Sequence, residues 1–163
     1  MTADMGFGEK VAGKYLTFAL AKEQYGIRIM KIKEIIGLMP ITFVPQTPGH
    51  VKGVINLRGK VIPVVDLRLR FGLEEAGYTE RTCIIVVEAQ GVSGTVPMGI
   101  VVDGVSEVLN IRAEEIEEAP AFGGSLSTEY ILGMAKSGDE IKILLDIDRV
   151  LNEQLAAAMQ LAA

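Results

Sequence analysis

The sequence predicts an all-β protein of two similar small units, about five strands each and curled into barrels, with short helical turns and a C-terminal helix. Three observations carry this. Short apolar runs with two-residue alternation recur along the chain, separated by Gly, Pro and polar clusters. Helical spacing is clear only at the end. The chain also matches itself: GIRIMKIKEII (26–36) lies on GIVVDGVSEVL (99–109), and GVINLRGKVIPVVDL (53–67) lies on GMAKSGDEIKILLDI (133–147). Gly26 then meets Gly99, Glu34 meets Glu107, Gly53 meets Gly133 and Asp66 meets Asp146. Units of this size have thin cores, so they should pack on each other and leave a groove at the seam.

The elements follow in order. YLTFAL (15–20) and GIRI (26–29) read as a hairpin across the polar turn Ala21 to Gln24. ITFVPQTPGH (41–50) holds Pro45 and Pro48 and must be an irregular connection, because proline removes ladder donors and restricts the residue before it. Residues 51–57 and 60–67 form the next pair of strands around Asn56-Leu57-Arg58-Gly59, and Pro63 implies a sheet edge or a bulge. EEAGYTERT (74–82) is a polar link. CIIVVEAQ and PMGIVV, joined by GVSGT, and EIKILLDI after SGD supply further strands. The last segment offers Asp148 as N-cap and Val150, Leu151, Leu155 and Met159 at helical spacing, giving a helix over 148–161. DLRLRFG and IRAEEIEE read as short helical turns.

At 163 residues, with 49% hydrophobic and 23% charged residues, the chain has a globular profile and no run of 18 apolar residues to span a bilayer. Its start lacks the apolar core of a secretory signal, so the cytoplasm is the expected compartment. The single cysteine, Cys83, sits in RTCIIVV and reads as a buried strand position. A net charge of -5 argues against nucleic acid or anionic lipid as the main ligand. The only histidine, His50, follows Thr-Pro-Gly in a loop and has no metal-ligand spacing with Cys83. EEIEE is a solvated charge run, and neither GxGxxG nor GxxxxGK[ST] is present. No catalytic set, metal site or cofactor is expected. What remains is surface for recognition: Glu34 lies among Met30, Ile32 and Ile35, and Arg58 stands at a hairpin tip. A guanidinium beside aliphatic anchors suits a protein partner, although from the residues alone Arg58 also reads as a solvated turn residue.

YGIRIMKIKEI, TPGHVKGVINLRGKVIPVVDLRLRFGL, MGIVVDGVSEVL and STEYILGMAKSGDEIKILLDIDRVL together resemble the CheW family of bacterial chemotaxis coupling proteins, over nearly all of Tyr15 to Leu151. The resemblance implies a single domain over 14–155, preceded by a flexible N-terminus over 1–13. That domain would be two intertwined, SH3-like five-stranded β-barrels, approximately 14–80 and 81–151, with strand exchange allowed between them. It implies a non-catalytic adaptor joining the cytoplasmic hairpin tips of methyl-accepting chemotaxis proteins to the regulatory domain of the histidine kinase CheA. Other CheW copies would be neighbours in arrays at the membrane, without membrane insertion. Carried over by position, Ile32, Glu34, Arg58 and Val108 match residues implicated in partner coupling, with Arg58 the arginine of NLRG. Gly53 and Gly133 match glycines serving backbone geometry, and Phe122 matches an aromatic of the side-to-side array contact. There a basic residue often found nearby is replaced by Glu117. The alternative class is a small barrel that binds nucleic acid or a small ligand. LRGKVIPVVDLRLR lacks the aromatic interleaving that base stacking needs.

Overall fold

A computed structural model describes residues 6–47, 49, 51–91, 94–120 and 128–151. A short helix α1 (Phe7–Val11) leads into β1 (Gly13–Leu20), β2 (Glu23–Arg28), the 3-10 turn Ile29–Lys31 and β3 (Ile32–Gly37). There follow β4 (Val51–Leu57), β5 (Lys60–Asp66), α2 (Leu67–Arg70), β6 (Cys83–Gly91), β7 (Gly94–Val102) and β8 (Gly104–Ile111). A 3-10 turn at Ala113–Glu115 precedes β9 (Ile116–Glu117); another at Thr128–Tyr130 precedes β10 (Ile131–Ser137), β11 (Glu140–Leu145) and α3 (Ile147–Leu151). The strands form a six-stranded sheet, β8-β1-β2-β11-β10-β9, and a five-stranded sheet, β3-β6-β7-β5-β4.

The internal match is kept in the strand register. Gly26 of β2 pairs with Leu144, and Gly99 of β7 pairs with Val64, each across a parallel ladder. Gly53 faces Val64 and Gly133 faces Leu144, each just after a register shift. A Cβ on Gly26 would lie 2.9 Å from Leu144 Cδ2, and one on Gly99 would lie 2.8 Å from Ile84 Cγ2, so each glycine clears a side chain that crosses its strand. Thr42 bridges Val54 where Glu117 pairs with Met134.

The two units exchange a strand. β2 lies in the six-stranded sheet, but the strand after it, β3, pairs with β6 in the other sheet. Conversely β7 lies in the five-stranded sheet and β8 crosses back to pair with β1. The sheets therefore do not divide the chain near residue 80: one runs from Ile32 to Val102, and the other takes residues 13–28 and 104–145.

Alternation sorts the side chains of the described residues into three cores. Ile84 and Val86 point into the five-stranded unit with Ile55, Ile62, Val64 and Val101, while Ile85, Val87 and Ala89 point the other way. They meet Leu16, Phe18, Leu20, Ile27 and Leu145 of the other sheet in one shared core. Tyr15, Ile111, Ile116 and Leu144 fill the six-stranded unit. β6 is thus buried on both faces, which explains its unbroken apolar run.

Several expectations are corrected. β5 is an interior strand: Pro63 faces Val54, pairing with β7 begins only at Val64, and the register shift lies across Lys52 in β4. β2 ends at Arg28, before Ile29. Within the N-terminus expected to be flexible, residues 7–11 are helical, Val11 is buried, and its carbonyl accepts the Tyr15 hydroxyl. Asp148 lies inside α3 rather than capping it. Asp146 takes that place, accepting the Arg149 N–H at 3.3 Å, as Asp66 accepts the Arg68 N–H at 2.9 Å before α2. The expected helix beyond Leu151 lies outside the described residues.

Candidate partner-docking site

β4 and β5 are joined by two residues, Arg58 and Gly59, flanked by the Leu57–Lys60 pair. Both have positive φ, +50° and +86°, the form of two-residue turn that suits a twisted hairpin. Asn56 Oδ1 accepts the Gly59 N–H at 2.9 Å and ties the turn. Glycine adopts this backbone freely, whereas an arginine in it costs on the order of 1 kcal/mol. In the matching hairpin β10–β11, flanked by Ser137 and Glu140, the first turn residue is Gly138 with φ +62°. Arg58 therefore stands where its counterpart is glycine, and the backbone gives no reason for it.

Its guanidinium reaches across the sheet. Arg58 Nη2 donates to Glu34 Oε2. Glu34 belongs to β3 and lies opposite Val86, and β3 and β4 are the two edges of the five-stranded sheet, so the pair spans the closure of the barrel. The Arg58 side chain is 68% exposed and that of Glu34 25% exposed. An ion pair this open is worth about 0–1 kcal/mol, no more than the turn costs. Lys33, Lys60, Leu57 and Ile62 line the shallow pocket around it. Arg58, Lys33 and Lys60 line it with a single carboxylate, Glu34, which pairs with Arg58, and that excess of cations leaves donor capacity for an acidic group from outside.

The other expected residues are placed as follows. Ile32, at the start of β3 opposite Val87, is half-buried against the shared core. Val108 lies on β8 opposite Leu16, in the other sheet, and is 52% exposed. Its counterpart in the repeat is Ile35 of β3, 44% exposed, and Met30 just before β3 is 80% exposed. Glu34 and Arg58 are thus in contact, Ile32 shares their strand region, and Val108 occupies the edge of the second sheet. Gly53 has φ +141°, and a Cβ there would collide with the Thr42 carbonyl. A Cβ on Gly133 would lie 3.0 Å from Ile116 Cγ2 and 3.3 Å from the Glu117 carbonyl oxygen. Phe122 and His50 lie outside the described residues. Sequence reasoning passed over Lys33 and Lys60, which flank the ion pair, and the exposed Phe43, which the prolines around it disguised as mere connection.

Among the described residues no group of His, Cys, Asp and Glu could hold a metal ion, and no helix is long and apolar enough to cross a membrane. Burial pushes the Cys83 thiol up, against a backbone hydrogen bond at Val105 that lowers it.

The family model described as CheW-like domain matches residues 14–155. The chain belongs to the CheW family. It is 43% identical over 147 residues to the chemotaxis protein CheW of Klebsiella aerogenes, covering 90% of this chain and 86% of that protein. Against the CheW of Bacillus subtilis it is 31% identical over 154 residues, 94% of each. The crystal structure of the scaffolding protein TtCheW from Thermoanaerobacter tengcongensis matches with a TM-score of 0.76 at 35% identity, covering 88% of this chain and 95% of that one. As a CheW-family member the protein is a scaffolding adaptor in chemotaxis signalling and not an enzyme. The nucleic-acid or small-ligand alternative is set aside.

Proposed function

We propose that this adaptor joins the cytoplasmic hairpin tips of methyl-accepting chemoreceptors to the regulatory domain of CheA, in the cytoplasm, at arrays assembled on the membrane. Partner contact falls on the sheet edges, with Ile32, Glu34 and Arg58 on one unit and Val108 on the other. Gly53 and Gly133 serve the backbone beneath them. Phe122 serves contacts between neighbouring adaptors.

The observation that carries this reading is Arg58: a mostly exposed guanidinium in a left-handed turn position that its own repeat gives to glycine. Aliphatic side chains at Met30, Ile35 and Val108 supply apolar surface, the combination of anchor and directional charge that transient protein interfaces use. Co-sedimentation with receptor fragments and kinase tests it. The parent chain brings the kinase down with the receptor and Arg58→Ala does not; equal recovery by both would defeat the assignment.

A further inference from the structure

The strand exchange makes two crossovers between the sheets, Ile29–Lys31 from β2 to β3 and Asp103 from β7 to β8. Each is clipped to the short helix that follows one of the two matching hairpins, α2 after β4–β5 and α3 after β10–β11. Asp103 pairs with Arg68 of α2 at 2.6 Å, and Lys31 pairs with Asp148 of α3 at 2.8 Å. In both junctions the carboxylate also accepts a backbone N–H from the end of an inner strand: Ala21, just past β1, at 2.7 Å to Asp103, and Gln90 of β6 at 3.0 Å to Asp148. Ala21 and Gln90 occupy the same place in the repeat, one residue beyond the pairs Leu20↔Glu23 and Ala89↔Val96. The two junctions are therefore the same device with its charges reversed. The acid is on the crossover in one and on the helix in the other.

They are not equally tight. Arg68 donates through Nε to Asp103 Oδ1 at 2.9 Å and through Nη2 to Oδ2, and a third donor, Nη1, reaches the Glu74 carbonyl at 3.2 Å. The crossover there is a single residue. Among the described residues Lys31 makes one side-chain hydrogen bond, from a long flexible stem, and its crossover is a three-residue turn carrying the exposed Met30. A forked guanidinium holds a carboxylate in a fixed geometry, and an ammonium does not. We infer that Lys31–Asp148 is a releasable latch between the two sheets, while Arg68–Asp103 is the fixed hinge. Opening it frees the turn that feeds β3, and with it the seating of Ile32 and Glu34. Any use of the latch in signalling rests on the docking reading above; the latch itself stands on the junction geometry.

Amide hydrogen exchange on the whole protein tests it without any partner, so its failure is separate from failure of the docking reading. Asp148→Asn keeps an acceptor for Gln90 and removes only the charge; Lys31→Gln removes the cation. In both, exchange at Gln90 and along Ile32–Gly37 should rise about tenfold, while Ala21 and the shared-core amide of Ile85 stay within twofold of the parent. The double reversal Lys31→Asp with Asp148→Arg copies the polarity of the other junction and should return protection to within twofold. The latch is overturned if both single variants leave Gln90 and Ile32–Gly37 within twofold of the parent. It is equally overturned if they speed all strands alike, or if the double reversal is no better protected than Lys31→Asp alone.

Discussion

Arg58 and Gly53 show two ways in which a residue can sit against its backbone preference. Gly53 is required by the fold: its φ is +141° and the Thr42 carbonyl occupies the place of a Cβ. Gly53→Ala should therefore cost about 2–3 kcal/mol, combining strain and displacement of the bridging segment. Gly133→Ala should cost less, since its neighbours are at 3.0 Å and beyond and its φ is not in the left-handed region. Chemical denaturation of the two variants side by side checks the order. The matched glycines were legible in the sequence as a pair, but the difference between them was not, because it depends on a Thr42 carbonyl that only the fold brings near. The contact between Glu34 and Arg58 was hidden for the same reason. Both residues stood out singly, yet nothing in their spacing joins opposite edges of a sheet.

Among the elements, the junction at α2 carries a titratable load. Burial alone would raise the Asp103 carboxyl, but hydrogen bonds from Arg68 and the Ala21 N–H, together with the guanidinium charge, outweigh it and hold the group below its usual value. A carboxyl depressed in the folded state stabilises fully above its unfolded value of about 3.9, and that stabilisation is lost as the pH falls through the folded value. The melting temperature of Asp103→Asn should therefore lie below that of the parent by a constant amount between about pH 5 and 7, and the gap should close below about pH 4. A gap that persists unchanged in acid would show that the charge is not what holds the junction. Sequence patterning found most strands here, because period-two alternation survives wherever one face is buried. It misplaced the cap of α3, where Asp146 and Asp148 are both reasonable acids; the helix starts at Ile147, and the 3.3 Å contact from the Arg149 N–H falls on Asp146. It also read Pro63 as a sheet edge or a bulge in β5, since a parallel ladder that starts one residue later leaves no trace in composition.

In the whole molecule, the largest core belongs to neither unit alone. Ile85, Val87, Met98 and Ile100 of one sheet pack with Leu16, Phe18, Ile27 and Leu145 of the other. The units should unfold together, and Ile85→Ala should cost about 2–5 kcal/mol. Calorimetry should show one transition moved to lower temperature, whereas two separated transitions would mean that each barrel stands by itself. The internal repeat announced two units and their order, and the register of Gly26, Gly53, Gly99 and Gly133 matches it. What the repeat could not show from its letters was the exchange of β3 and β8, which ties the edges of one unit to the inner strands of the other. If shared residues make this fold and the unshared Arg58 carries the proposed docking, stability and function should separate at this one position. Arg58→Gly separates them, because it gives the turn the residue its counterpart already has. The melting temperature should hold or rise by up to about 2–4 °C as roughly 1 kcal/mol of turn strain is relieved, while receptor-dependent activation of CheA is lost. Full activation in that variant, or a melt lowered by many degrees alongside the loss, would contradict it.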